Sequence, residues 1–193
     1  MKKSRVFILI TLGVFLCVSS LVRGEDLSVD FGSTPYTEGR IDAYFYFAGN
    51  ISYDTMDAIR NGITARLILT FQLAESGGVF GSVKNILRER VESFNINYDV
   101  WENSYKISDR NRNEEYFVPN ASDVLLRIHE IINPIALRAN AVRNGDKLVV
   151  RAKIKIQTIK LFPPFGIFLF FFDPWNYESS WLYSEVFTIG TVR

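Results

Sequence analysis

A chain of 193 residues, 48% hydrophobic and 15% aromatic, has ample apolar material for one packed core, while a single histidine and a single cysteine leave no His-cluster metal site and no disulfide framework. The formal charge is +1, with 22 basic residues against 21 acidic ones. So even a balance argues against nucleic-acid binding through a general basic field.

Lys2, Lys3 and Arg5 precede an apolar stretch from Val6 to Val22 broken only by Thr11, Gly13, Ser19 and Ser20, the layout of a secretory signal peptide. Val22 and Gly24 suit the positions three and one before a cut, so residues 1–24 are expected to leave and Glu25 to begin the mature chain. The alternative is an uncleaved anchor, because the stretch reaches the ~17 residues that can span a bilayer. Leu16 is not the small residue that a lipoprotein peptidase needs ahead of its cysteine, so Cys17 belongs to the apolar run. Losing Lys2, Lys3, Arg5 and Arg23 with the leader leaves 18 basic residues against 21 acidic ones, a net charge of −3 and no cysteine. The expected location is the periplasm or the cell envelope, with residues 25–193 as one domain.

Alternation then dominates. Leu27, Val29 and Phe31 predict a half-buried strand, and Ile41, Ala43, Phe45 and Phe47 predict another. Ser52 is placed to cap a short helix, with Ile51 and Met56 at the hydrophobic-staple positions and Gly62 at a left-handed exit. From Ile63 to Leu73 every odd position is apolar, the clearest strand in the chain. Residues 79–91 fit a helix as well as a strand and stay open between the two. Phe94, Ile96 and Tyr98 predict a strand that turns through Glu102 and Asn103 into Tyr105 and Ile107. The polar stretch from Ser108 to Glu115 reads as an exposed loop.

A second helix is expected from about Ala121 to Asn133, capped by Asn120, with Val124, Leu125, Ile128, Ile131 and Ile132 on one face. Leu137, Ala139 and Ala141 approach an Asn144-Gly145 turn, and Leu148, Val150, Ala152, Ile154 and Ile156 leave it, which predicts a long hairpin. Arg151, Lys153 and Lys155 then form a solvated opposite face that discourages edge pairing. The tract from Leu161 to Phe172, followed by Asp173-Pro174-Trp175, is too short and too punctuated by proline and glycine to cross a membrane. It reads either as a buried strand or as a surface awaiting a partner. A final strand, from about Trp181 to Ile189, closes the domain, and no internal repeat is expected.

The chemistry legible here consists mostly of exclusions. His129 stands alone on its helix, so a serine triad lacks parts unless it supplies the base, and a lone helical histidine reads as packing or surface. Asp109, Asn111 and Asn113 imitate the start of a calcium loop, but Glu114 and Asn120 occupy positions that need glycine and glutamate. Gly77, Gly78 and Gly81 lack the Gly-Lys-Ser/Thr of a phosphate loop. Asn50-Ile51-Ser52 and Asn120-Ala121-Ser122 match glycosylation acceptors but coincide with helix starts, where capping wants the same residues. Nothing groups Asp42, Asp99, Asp173 and Glu178 beyond their type. No catalytic residue, metal ligand or cofactor is assigned.

Three segments carry a family resemblance. Leu161-Phe162-Pro163-Pro164-Phe165-Gly166-Ile167 followed by Trp175, the run Met56-Asp57-Ala58-Ile59-Arg60-Asn61-Gly62-Ile63, and Tyr98-Asp99 with Tyr105 together resemble a bacterial family of exported proteins, domain of unknown function 4390 (DUF4390). Phe162 stands where that family has its first proline, and Trp101 where leucine is usual. The resemblance implies an envelope protein and carries no catalytic residues over.

The expected fold is mainly β, an antiparallel two-layer β-sandwich-like domain of about eight strands with two short helices; the alternative is α+β, with helices covering one face of an antiparallel sheet. The leading functional expectation is a non-catalytic envelope module of periplasmic or membrane-associated type. It would meet an envelope protein or the membrane surface, and no nucleic acid, through Phe165, Phe168, Phe170, Phe172 and Trp175. The competing expectations are a β-sandwich that encloses a hydrophobic ligand or lipid, and a hydrolase built on His129 or a carboxylate pair.

Overall fold

A computed structural model describes residues 27–37, 39–77, 82–138, 142–159 and 176–189. In chain order the elements are β1 (Ser28–Phe31), β2 (Tyr36–Thr37), β3 (Arg40–Ala43), β4 (Phe45–Ala48), α1 (Tyr53–Arg60), β5 (Thr64–Ser76), β6 (Val83–Asp99), β7 (Ser104–Asp109), β8 (Glu114–Val118), α2 (Asp123–Ile132), β9 (Ile135–Arg138), β10 (Lys147–Ile159), β11 (Tyr177–Glu178), β12 (Leu182–Tyr183) and β13 (Phe187–Thr188). All strand pairs are antiparallel.

The alternation in β5 sets the architecture. Ala65, Leu67, Leu69, Phe71 and Leu73 face one way and are fully buried. Their strand lies between β10 and β6, pairing with β10 from Thr64–Ile159 to Glu75–Leu148 and with β6 from Ala65–Ile96 to Ser76–Val83. The main sheet is open and runs β11-β10-β5-β6-β7-β8, with β12 and β13 also on β10. A second layer covers its apolar face: the β1-β4 pair, the β2-β3-β9 sheet and both helices. The mainly β, antiparallel fold with two short helices is therefore as the alternation implies.

The first helix forms as its ends predict. The Ser52 Oγ accepts the Thr55 amide at 3.2 Å, Ile51 and Met56 are buried, and Gly62 leaves at φ +94°. The second differs at its start. It begins at Asp123 after Ser122, and the Asn120 side chain donates to the Asp123 carboxylate at 2.9 Å instead of capping a backbone amide.

Three further expectations are corrected, one is refined and one open stretch is resolved. Residues 41–47 are not one strand but two, broken at Tyr44, because α2 takes both outward backbone groups of the next residue. The Phe45 amide donates to Asn133 Oδ1 at 3.2 Å, and His129 Nε2 donates to the Phe45 carbonyl at 2.8 Å. The open stretch 79–91 is β strand from Val83 onward. The exposed stretch from Ser108 to Glu115 is the turn of the β7-β8 hairpin with the strand ends that flank it, and Asp109 at its base is buried. The Asn144-Gly145 turn forms, with Gly145 at φ +92°, yet β9 and β10 do not pair. Both edges of β10 are already taken, so β9 pairs with β3; Ala139 and Ala141 lie outside the described residues. Arg151, Lys153 and Lys155 are not merely solvated: Arg151 stacks 4.2 Å from the Trp181 ring, and Lys153 and Lys155 pair with Glu178.

The final strand is also different in kind. It begins at Tyr177 and is interrupted twice, because five of its residues span every four of β10. Tyr177, Leu182 and Phe187 lie opposite Ile156, Ala152 and Leu148 on the buried face. At each slip a buried serine substitutes its hydroxyl for a backbone carbonyl. Ser179 donates its amide to the Ile154 carbonyl and accepts the Ile154 amide on Oγ; Ser184 does the same with Val150. Ile189 takes the third equivalent place against Asp146. A period of five thus runs through 177–189, where no repeat was expected.

Removing either hydroxyl leaves a buried amide donor without an acceptor, so Ser179→Ala and Ser184→Ala should each lower unfolding free energy by about 1–3 kcal/mol, whereas exposed Ser180→Ala should change it by less than about 0.5 kcal/mol. Urea denaturation of the three variants measures this. The Lys153 and then the Lys155 ammonium hold the Glu178 carboxyl below its ordinary pKa. The stability that this clamp contributes is present above the ordinary glutamate range and is lost as pH falls through the lowered value. A Glu178→Gln variant should therefore match the parent in strong acid and fall below it near neutrality, read from melting temperatures across pH.

Candidate functional site

Phe165, Phe168, Phe170, Phe172 and Trp175 lie outside the described residues. Their flanks do not: the chain leaves the sheet at Ile159 and returns at Asn176, whose side chain accepts the Thr158 amide at 3.2 Å. Ile159, Thr64 and the neighbouring residues of β6 beyond Ile96 form one end of the sheet. The β6-β7 turn projects from that end. It is a firm turn, since Asp99 Oδ1 accepts the amides of Trp101 at 2.9 Å and Glu102 at 3.2 Å, and the Tyr98 hydroxyl donates to Asn103 Oδ1. Behind it the Tyr98 and Tyr105 rings meet edge-on at 5.0 Å, with Arg60 over Tyr98. The same turn holds Val100 and Trp101 outward, 74% and 97% exposed.

The amino terminus of the described chain lies toward this end too. The Tyr177 hydroxyl donates to the Leu27 carbonyl at 2.7 Å, beside Ile156 near the end of β10. From there β1 runs back along β10 toward β12.

The groups weighed for catalysis are engaged separately. His129 is half-buried, bonded to the Phe45 carbonyl and edge-on to the Phe45 ring at 5.5 Å. Asp42 pairs with Arg40, Asp99 caps its turn, and Glu178 pairs with two lysines on the opposite face of the main sheet; Asp173 lies outside the described residues. Among the described residues no group of three or more His, Cys, Asp or Glu is placed to hold a metal ion, and no helix is long and apolar enough to cross a membrane. Phe45, Phe71 and Phe94 fill the core itself, Phe45 and Phe71 at 5.0 Å.

A second feature was not foreseen. On β6 the register places Arg88 opposite Leu73, Arg90 opposite Phe71 and Glu92 opposite Leu69, so charged side chains occupy the buried face where the second layer thins out. Glu92 is 1% exposed and Asp109 as little. The Glu92 carboxylate accepts from Arg90 Nε at 2.6 Å and from Asn111 Nδ2 at 2.8 Å, with Arg112 Nη1 at 3.5 Å. Asp109 accepts from Arg112 Nη1 at 2.5 Å and from the amides of Asn111 and Arg112. Burial opposes the charge on Arg112, yet the hydrogen bond to Asp109 and the field of Glu92 raise its pKa above the ordinary arginine value. The apparent calcium-loop start is thus an Asp-anchored turn.

Arg90 also donates to the Ala136 carbonyl at 3.2 Å, tying β6 to β9. Beside that link opens a cleft of about 360 Å3 lined by Arg40, Arg88, Glu89, Arg90 and Arg138, with Ala136 and Leu137. Continuing the Phe94 and Ile96 alternation backwards would have put Arg88, Arg90 and Glu92 on one face; the arrival of Arg40 and Arg138 depends on the β3-β9 pairing. Breaking the pair through Glu92→Ala should cost roughly 1–3 kcal/mol of unfolding free energy, since Arg90 loses its carboxylate partner while Arg112 keeps Asp109, and both guanidinium groups remain partly solvated. Guanidinium denaturation of the variant against the parent checks this.

No curated protein and no solved structure matches the chain. Residues 26–184 match the family described as Domain of unknown function (DUF4390). The match takes in α1 with its Gly62 exit, the Tyr98-Tyr105 turn and the arginine-lined cleft. Since it spans most of the 193 residues, the chain belongs to the DUF4390 family.

Proposed function

We propose that this protein is a non-catalytic module of the cell envelope that rests one end of its main sheet on the bilayer. A single convergence carries the reading. The firm turn that exposes Val100 and Trp101 projects from the end of the sheet at which Leu27, the first described residue, and Ile159 and Asn176, the residues that flank the aromatic tract, are also found. Three parts of the described chain far apart in sequence thus share one end of the sheet.

A water-exposed tryptophan on a turn held by two Asp99 hydrogen bonds suits a membrane interface, where an indole keeps its N–H wet and its ring in the lipid boundary. Phe165, Phe168, Phe170, Phe172 and Trp175 are the further contacts of the proposal. A firm turn also loses little conformational freedom on docking, so the apolar area that it buries is mostly retained as affinity.

Residues 25–193 added to liposomes should pellet with them, and tryptophan emission should shift to the blue. The double variant Val100→Ser and Trp101→Ser should partition about tenfold more weakly, the equivalent of ~1.4 kcal/mol of lost apolar transfer. An unshifted spectrum and a protein that stays in the supernatant would sink the proposal.

A further inference from the structure

We infer that the cleft between β6 and the β3-β9 sheet is a binding site for a dianionic phosphoryl group, such as a phosphate monoester. Its four arginines come from three strands in two layers: Arg88 and Arg90 on β6, Arg138 on β9 and Arg40 on β3.

The charge does not cancel locally. Arg40 pairs with Asp42 at 2.6 Å and Arg90 with Glu92 at 2.6 Å, so each of those guanidinium groups has its carboxylate. Among the described residues Arg88 and Arg138 have no acidic partner. The acid that lines the cleft does not neutralise them: Glu89 lies between Arg88 and Arg90 in β6, and its side chain accepts from Gln72 on the other face of the sheet. Two uncompensated positive charges remain, which match one phosphate monoester at neutral pH.

The register carries a cost that an anion would remove. Arg40 and Arg138 are direct partners in the β3-β9 pair, and like charges directly opposite destabilise a sheet. The alternating layout puts both beside a cleft instead of dispersing them. Donors arriving from three strands suit a tetrahedral group with several oxygens better than a planar carboxylate, which one guanidinium fork can satisfy. Arg90, held by Glu92 and by the Ala136 carbonyl, braces the floor against the wall.

Position decides the source. Arg88 lies opposite Leu73, nine residues along β5 from Thr64, so the cleft is about 30 Å from the Trp101 end at a strand rise of ~3.3 Å per residue. If that end rests on the bilayer as proposed above, a lipid headgroup is out of reach and the ligand is a free phosphorylated molecule. The cleft itself does not depend on that orientation.

The test is calorimetric titration of the full chain in detergent with inorganic phosphate and with glycerol phosphate, ionic strength being held constant with chloride. Binding of both is expected, roughly tenfold weaker in Arg88→Gln and again in Arg138→Gln, the loss of one charge-assisted hydrogen bond in each case. Without phosphate, Arg138→Thr should melt about 1–3 °C higher than the parent, because the cross-strand repulsion is gone, and should lose the rise that phosphate gives the parent. Absent phosphate binding, or binding that both glutamine variants leave intact, overturns the site. Tighter binding of succinate than of phosphate overturns the phosphoryl assignment. Phosphatidic acid vesicles separate the sources: retention that drops in the Arg88→Gln variant overturns a free ligand, whereas retention that drops only in the Val100→Ser and Trp101→Ser variant supports it.

Discussion

The central strand β5 imposes the constraint from which the rest of the structure follows. Ala65, Leu67, Leu69, Phe71 and Leu73 leave water entirely along one face, and both edges of the strand are hydrogen-bonded for nearly its whole length. A sheet so apolar on one side needs a cover, and a buried Leu or Phe here contributes on the order of 1.5–3 kcal/mol relative to an exposed one. The cover is assembled from pieces none of which suffices alone: a two-stranded pair, a three-stranded sheet and two helices. His129 and Asn133 join these pieces by taking both outward backbone groups of Phe45.

The length of the central strands separates two environments. At one end the β6-β7 turn extends past the cover and presents Val100 and Trp101. Toward the other, β6 outruns β7, the apolar side chains on its inner face give way to Arg88, Arg90 and Glu92, and a cleft opens against β9. The edge of β10 that β9 leaves unpaired is closed by the carboxyl-terminal ribbon, which keeps its register through Ser179 and Ser184. Because that ribbon crosses the edge in steps, it offers no long flat strand to a second molecule.

Much of this was legible. The alternation from Ile63 to Leu73, the Ser52 cap and the Phe94-Ile96-Tyr98 strand with its turn into Tyr105 follow from local periodicity and local hydrogen bonding, and they stand. What misled was the assumption that neighbours in sequence pair in space. Leu137 and Leu148 flank a good Asn-Gly turn, but β5 and the ribbon compete for β10 and win, a long-range outcome that no short window contains. The polar run after Ser108 is exposed from Arg110 onward, and only Asp109 is buried; Glu92, seventeen residues earlier, completes its network through Asn111 and Arg112. The arginine cleft was missed for the same reason: Arg40 and Arg138 are almost a hundred residues apart and meet only through the β3-β9 register.

The proposed orientation puts the Trp101 turn of the main sheet in lipid and the Arg138 cleft, between that sheet and the β3-β9 pair, in water, and a pair of nitroxide labels tests that most directly. With the full chain in bilayers, a label at position 101 should relax faster with dissolved oxygen, which concentrates in lipid, and a label at position 138 should respond to a water-soluble nickel complex. Equal response of both labels to the nickel complex, or a lipid signature at 138, would contradict the orientation on which the account rests.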